Sequence, residues 1–415
     1  MMIINAFLIV MIMITMIYAF KTDKSFINPP LLQPIPWIFS ITVYVMNIEI
    51  LGNISSSTIF IILAGILMFQ LGYYTIFFVN KKNIKKDYEI KKQYISLKYI
   101  DVLIIVDLIF MMLIILKAIE IAKSINVINF FVSLRLGLGQ FSDTTGGYGV
   151  LSYALTIANG VFAFIFILYK SGFEELKKRV KISFFIALVI SVLHTGRGFL
   201  TQLFLIWMSI TLIKQKDRKN EFRLISKFLV LFLITFVLYA IFLKKGIDTD
   251  GGIENIFKGF REQMILYGAA SIKAFDHWLS NLDFLDFGLN IFRTPIVILT
   301  KLGFDLEVID LVKEFSNTKI PTNVYTIYQP YIADFGVLFA FVIQCILGYL
   351  YSYMYIKCKE GEYICIFMFS VLMYAFVTQF FIDSYFSLMS TWIQYLVMSI
   401  ILFKSNIFIK SNGGN

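Results

Sequence analysis

Residues 320–336, IPTNVYTIYQPYIADFG, close a polar stretch that opens at Lys244 with KKGIDTDGG. The length from Lys244 to Asp334 decides how the chain is read. On both sides of it the sequence is a succession of apolar runs of membrane length, and within it no such run occurs. A helix needs ~20 apolar residues to cross a hydrocarbon core ~30 Å thick. The expected fold is therefore an all-α polytopic membrane protein, interrupted late by one large extracytoplasmic loop over 245–333.

Outward from that loop, about eleven candidate spans lie near 2–20, 34–52, 56–79, 99–118, 149–169, 182–196, 198–213, 228–243, 335–356, 363–381 and 388–404. The second carries Glu49 and starts in a Pro-rich stretch. The composition agrees: of 415 residues 59% are hydrophobic and 15% charged, where soluble domains carry about 25% charged residues. One membrane domain over 1–415 accounts for the length. The first run has no basic leader and no small-residue cleavage pattern, so it reads as a retained helix.

The net charge of +10 is not a nucleic-acid signal, because the basic residues sit in short loops between apolar runs. KKNIKKDYEIKKQYISLK (81–98), KSGFEELKKRVK (170–181) and KQKDRKNEFRLISK (214–227) are expected in the cytoplasm by the positive-inside rule. The parity then puts Lys357, Lys359, Lys404 and Lys410 inside. It puts 120–148, the turn HTGRG (194–198) and 245–333 outside. In the long loop, Ile253, Ile256, Phe257, Phe260, Met264 and Tyr267 recur at helical spacing, which predicts an amphipathic helix. PIVILTKLG (295–303) is apolar but too short to span, so it reads as interfacial or re-entrant. Cys345, Cys358 and Cys365 lack metal-ligand spacing and read as packing residues.

On the outer side arginine is the informative residue, because this chain otherwise prefers lysine. Arg135, Arg197, Arg261 and Arg293 each offer a fixed fork of donors suited to phosphate and pyrophosphate. A solvated or headgroup-pairing charge is the plainer reading for Arg261 and Arg293. Arg197 is set apart by depth. Only 15 residues separate it from Lys181, ~22 Å of helix, so its turn is expected to be recessed. A recessed charge is costly unless it faces protein or water. Arg135 sits in LRLGLGQFSDTTGGYG (134–149), read as a glycine-rich loop offering amide donors.

General bases are few. His194 and His277 are the two histidines, both expected outside. His277 lies in FDHWLS beside Asp276 and is the candidate base; His194 is expected to orient Arg197. Asp334 ends the loop where a helix enters the membrane, as a catalytic acid or base or as an N-cap. Asp107, in VLIIVDLIFMM, belongs to a proton or substrate path or pairs with another helix. No HExxH, DxD-like cluster or zinc ligand set occurs, so neither a metal nor another cofactor is expected.

LRLGLG with GGYG, HTGRGFL between two short helices, and TNVYT followed by P-Y-x-x-DFG resemble the bacterial O-antigen and capsule repeat-unit polymerases of the Wzy type. The topology of nearly the whole chain takes part in the resemblance; specific motifs cover about a tenth of it. The resemblance implies a GT-C-like, metal-independent glycosyltransferase of the bacterial inner membrane whose site faces the periplasm. Donor and acceptor would be undecaprenyl-pyrophosphate-linked glycans, with membrane lipid and a chain-length regulator as partners. It implies that outer arginines hold pyrophosphate: Arg135 and Arg197 match by position, Arg261 and Arg293 only as arginines of the large loop. Asn323 and Tyr325 of the TNVYT segment join the binding set. It supplies no base, so His277 stays an inference from the residues. An O-antigen ligase, a repeat-unit flippase and a polyprenyl-phosphate-sugar transferase are the competing expectations.

Overall fold

The computed structural model describes residues 2–23, 25–80, 93–125, 129–140, 147–213, 215, 217–242, 252–282, 284–405 and 409–411. In chain order the helices are α1 (Met2–Thr22), α2 (Pro29–Leu32), α3 (Pro34–Met46), α4 (Ile48–Leu51), α5 (Ser56–Asn80), α6 (Leu97–Ile125), α7 (Phe130–Gln140), α8 (Tyr153–Lys170) and α9 (Lys177–Leu193). There follow α10 (Arg197–Ile213), α11 (Arg218–Phe242), α12 (Gly252–Gly268), α13 (Ala270–Ser280), α14 (Arg293–Lys301), α15 (Tyr328–Lys359), α16 (Tyr363–Val377) and α17 (Met389–Lys404). The only strands among the described residues, β1 (Gln93–Ile95) and β2 (Ile409–Ser411), pair antiparallel with Tyr94 opposite Lys410.

Each expected span is largely helix, but among the described residues six helical segments, rather than about eleven, are long and apolar enough to cross a membrane. The shortfall has physical causes. α9 and α10 have 17 residues each and α17 has 16, about 24–26 Å at 1.5 Å per residue. α11 begins with the charged run RKNEFR. The weak second span is broken into α2, α3 and α4, with prolines opening the first two and Asn47 interrupting before the last.

The chain divides into two units. The first comprises Met1–Ile84, Phe260–Ile356 and Tyr374–Trp392. Its core is the pairing of α5 with α15. A Cβ on Gly72 would stand 1.9 Å from the Cys345 carbonyl oxygen, and one on Gly348 would stand 1.9 Å from that of Phe69. The two backbones therefore touch where glycines allow it, the way helices associate without a hydrophobic drive from lipid. Trp37 stacks on Tyr328 at 5.5 Å, and Tyr351 meets Phe376 at 4.5 Å.

In this unit the ends of the helices line up. Tyr355 Oη donates to Asp23, beyond the end of α1, and Tyr73 Oη donates to Asn28 at 3.0 Å. At the other end of α5 the Asp276 carboxylate accepts the Ser55 amide (2.8 Å) and the Thr58 hydroxyl (2.9 Å). The broken helices α2–α4 therefore climb from the level of Asn28 to that of Ser55, the length of α5.

The second unit comprises Lys85–Gly259, Lys357–Met373 and Ile393–Asn415. Arg179 grips Asp101 with both forks, at 2.6 and 2.7 Å. That contact joins the N-terminal ends of α6 and α9. α8 is buried over most of its length. Gly160 sits against Met398 and Phe367, where a Cβ would lie 2.4 Å from the methionine sulfur.

Candidate functional site

Two polar constructions stand out, one in each unit. In the second unit, α9 ends at Leu193, Thr195 takes a left-handed conformation (φ 54°) and α10 begins at Arg197. One left-handed residue reverses the chain between two short helices. Arg197 is only 7% exposed. His194 Nδ1 lies 2.8 Å from the Ile190 carbonyl. A carbonyl accepts, so Nδ1 carries the hydrogen and Nε2 carries the lone pair. That Nε2 is buried, with no hydrogen-bond partner among the described residues. The ring is held between Tyr148 (4.9 Å) and Phe199 (5.3 Å), and Tyr148 Oη donates to the Leu193 carbonyl at 2.8 Å.

Arg135 is half-buried on α7. Its LRLGLG segment is helix, a correction to the expected glycine-rich loop. The amides there are committed to the helix, and Gly137 instead lets α7 approach α6, since a Cβ would lie 2.5 Å from Ile121. Residues 141–146, the rest of that expected loop, lie outside the described residues. Leu200 packs with Phe131, Leu188 and Val192. Arg135 is one turn beyond Phe131 and Arg197 one turn before Leu200, so both arginines border the same apolar contact.

In the first unit, the Asp334 carboxylate is fully buried. It accepts the Asn290 amide (3.1 Å), the Asn290 side-chain amide (2.7 Å) and the Ile291 amide (2.8 Å). Asn290 also donates to Asp286 at 2.8 Å, Lys313 Nζ donates to Asn290 Oδ1, and the Asp286 amide donates to the Ala333 carbonyl at 2.7 Å. Asp334 thus ties residues 286–291 to the head of α15, which itself breaks at Gly336 (φ 80°, ψ 177°). It does not start its own helix, and its oxygens are occupied, so in this arrangement it positions a loop. Burial lowers the Lys313 ammonium pKa, while Asp286 and Asp334 pull it up.

Arg293 Nε donates to the Ile309 carbonyl at 2.8 Å, and Tyr325 Oη donates to that of Glu314 at 3.1 Å. Arg293, Asp334 and Tyr325 are thereby gathered around residues 309–314; Asn323 is half-buried nearby in sequence. Arg261 is exposed and reaches the Asn47 side chain at 3.4 Å. His277 is half-buried on α13. Its neighbour Asp276 holds α13 to the head of α5 and pairs with Lys273 at 3.0 Å. Burial alone would raise the Asp276 pKa, but the Ser55 amide, Lys273 and Thr58 bring it below the usual value. Among the described residues no group of three or more His, Cys, Asp or Glu is placed to hold a metal.

Sequence reasoning missed Tyr148, Asn290, Lys313 and Asp383. Asp383 is buried and accepts Tyr331 Oη (2.8 Å) and the amides of Tyr385, Phe386 and Ser387. An aspartate followed by SYFS just before an apolar run is a readable capping signal. Asn290 and Lys313 carry no such signal. No family model, no curated protein and no solved structure matches this chain.

Proposed function

We propose that this chain is a GT-C-like glycosyltransferase of the bacterial inner membrane, polymerising undecaprenyl-pyrophosphate-linked oligosaccharide repeat units at the periplasmic face, in O-antigen or capsule biosynthesis. The carrying observation is Arg197, a permanently charged fork buried at a turn between two short helices. With Arg135 bordering the same apolar contact, it suits a pyrophosphate whose charge grows as it leaves. Preorganised donors at developing charge are the largest single source of rate in such transfers. The acceptor hydroxyl gives its proton to a base as the new glycosidic bond forms and the carrier pyrophosphate departs with the bonding electrons. His194 suits that role better than His277, because its tautomer is fixed and its Nε2 lone pair is uncommitted. Arg293, Tyr325, Asn323 and Arg261 belong to the glycan-selecting segment, and Asp334 positions it.

The test is deletion of the gene and rescue with Arg197→Ala, read on a surface-polysaccharide gel. Polymerase activity predicts that deletion removes the ladder but leaves single repeats attached, and that Arg197→Ala inserts normally and restores no ladder. Loss of all attached repeats on deletion would indicate a ligase or flippase. A normal ladder from Arg197→Ala would overturn the site.

One observation favours the flippase reading: Asp107, within α6, has both carboxylate oxygens buried without a hydrogen-bond partner. Ionisable groups at such depth commonly serve transport paths. Under that reading Asp107→Asn blocks appearance of repeat units at the outer face; under the polymerase reading it does not.

A further inference from the structure

The segment from Phe284 to Phe315 carries a large exposed apolar surface outside the spanning helices. Phe284, Phe287, Leu302, Phe304 and Val312 are between 59% and 85% exposed. The nine residues of α14 include none that is buried. Such a surface on water would be an aggregation liability.

Its place in the fold says what covers it. The clasp of Asp334 on Asn290 and Ile291, with the Asp286–Ala333 bond, pins the stem of this segment beside the head of α15. Along α15 a stripe of exposed apolar residues, Leu338, Val342, Ile346, Tyr349 and Tyr353, recurs at helical spacing and is the face this long apolar helix turns to lipid. The stripe does not stop at the clasp. Gly288 nests against Phe292 and Phe335, where a Cβ would lie 2.8 and 3.1 Å from their rings. Phe335, itself exposed, precedes Leu338 by three residues across the break at Gly336. Exposed apolar residues therefore continue from α15, past the Gly336 break, to Phe335 and Phe292 at the base of the loop.

The backbone adds a second observation. Phe287 sits at φ 47°, a region that a bulky side chain adopts only when the surroundings impose it. The Asp286 and Asn290 contacts impose it, and the result is a phenylalanine aimed outward. Further along, Phe304, Leu306 and Val308 alternate with Asp305 and Glu307. An extended chain presents such residues on opposite sides, one apolar and one acidic, and Lys301 and Lys313 flank them. Charges of both signs beside an apolar edge fit the headgroup level of a bilayer and give no preference for anionic lipid.

We infer that residues 284–315 form a monotopic element that buries this apolar surface in the bilayer leaflet at the N-terminal end of α15. The Asp334 clasp sets its depth, so Arg293 and Lys313 lie at the level of lipid phosphates. This inference stands independently of the glycosyltransferase reading.

The full-length chain, reconstituted in phosphatidylcholine vesicles, tests it. An environment-sensitive fluorophore is attached at Phe304→Cys and, separately, at the exposed Asn317→Cys, with the parent chain giving the background from Cys345, Cys358 and Cys365. The expected result is shorter-wavelength emission at 304, quenching by a phospholipid carrying a nitroxide high on its acyl chain, and iodide quenching several-fold weaker than at 317. Strong iodide quenching without lipid quenching at 304 would overturn the inference. So would a label shielded from both quenchers, which would mean that protein covers the surface. Phe315→Cys repeats the measurement if Phe304→Cys fails to reconstitute.

Discussion

The two polar constructions use charge in opposite ways. At the clasp, the Asp334 oxygens accept three donors and a lysine neutralises the network through Asn290. At the α9–α10 turn, His194 spends one nitrogen on its own helix and leaves the other buried, with no partner among the described residues. A buried polar group left unsatisfied costs about 1–3 kcal/mol. A saturated group needs no explanation beyond the fold. An unsatisfied one leaves a lone pair open to a further partner, and the difference can be broken by substitution.

The largest expected effect is at His194. His194→Phe keeps an aromatic ring between Tyr148 and Phe199 and removes Nε2. Glycan transfer should fall by roughly 10²- to 10⁴-fold, while the detergent melting temperature drops by no more than loss of one hydrogen bond implies, ~1 kcal/mol. Transfer within a few-fold of the parent would remove His194 from the chemistry.

Asp334→Ala should show the converse. It strands two backbone amides and the Asn290 side chain, for a loss of roughly 2–5 kcal/mol, seen as a lower melting temperature. Activity per folded molecule should fall less than in His194→Phe. If the order is reversed, Asp334 has a chemical role that its hydrogen bonds conceal.

Gly72→Ala tests the scaffold that carries the clasp. The added methyl meets the Cys345 carbonyl at 1.9 Å, so α5 and α15 must part, costing about 1–3 kcal/mol. Melting in detergent measures it, and no change in the His194 environment is expected.

The smallest effect is one of pH. Burial raises the Asp383 carboxyl to about 6, against the Tyr331 hydroxyl and the backbone amides that favour its charge. The folded state therefore binds this proton more tightly than the unfolded chain. Its contribution is fully present below the ordinary carboxylate value and is lost as pH rises through about 6. The loss is at most about 3 kcal/mol at 1.36 kcal/mol per pKa unit. Asp383→Asn should flatten the melting-temperature profile between pH 4 and 7. An unchanged profile would mean that the four donors already offset the burial.

Much of the architecture was legible because hydrophobic runs are local. Every expected span is largely helix, and Tyr355–Asp23, Asp276–Ser55 and Arg179–Asp101 join ends that the basic-loop parity had put on one face. Interruptions were harder to read. The break at Asn47 and the helical rather than looped LRLGLG depend on what the neighbouring helices offer. At the site, counting residues between charges singled out Arg197, a one-dimensional argument, and the structure buries its side chain. The difference between His194 and His277 did not follow, because it rests on a ring whose tautomer is fixed by a carbonyl four residues away.

The sequence alone determined that this chain is helical, with several apolar helices of membrane length and one long polar interruption, since transfer of an apolar run from water depends on composition and length. Only the tertiary structure decided what each charged side chain does. A carboxylate ahead of a helix is a cap, a base or a clasp according to which donors fold against it, and for Asp334 those donors come from residues 44 and 43 positions earlier.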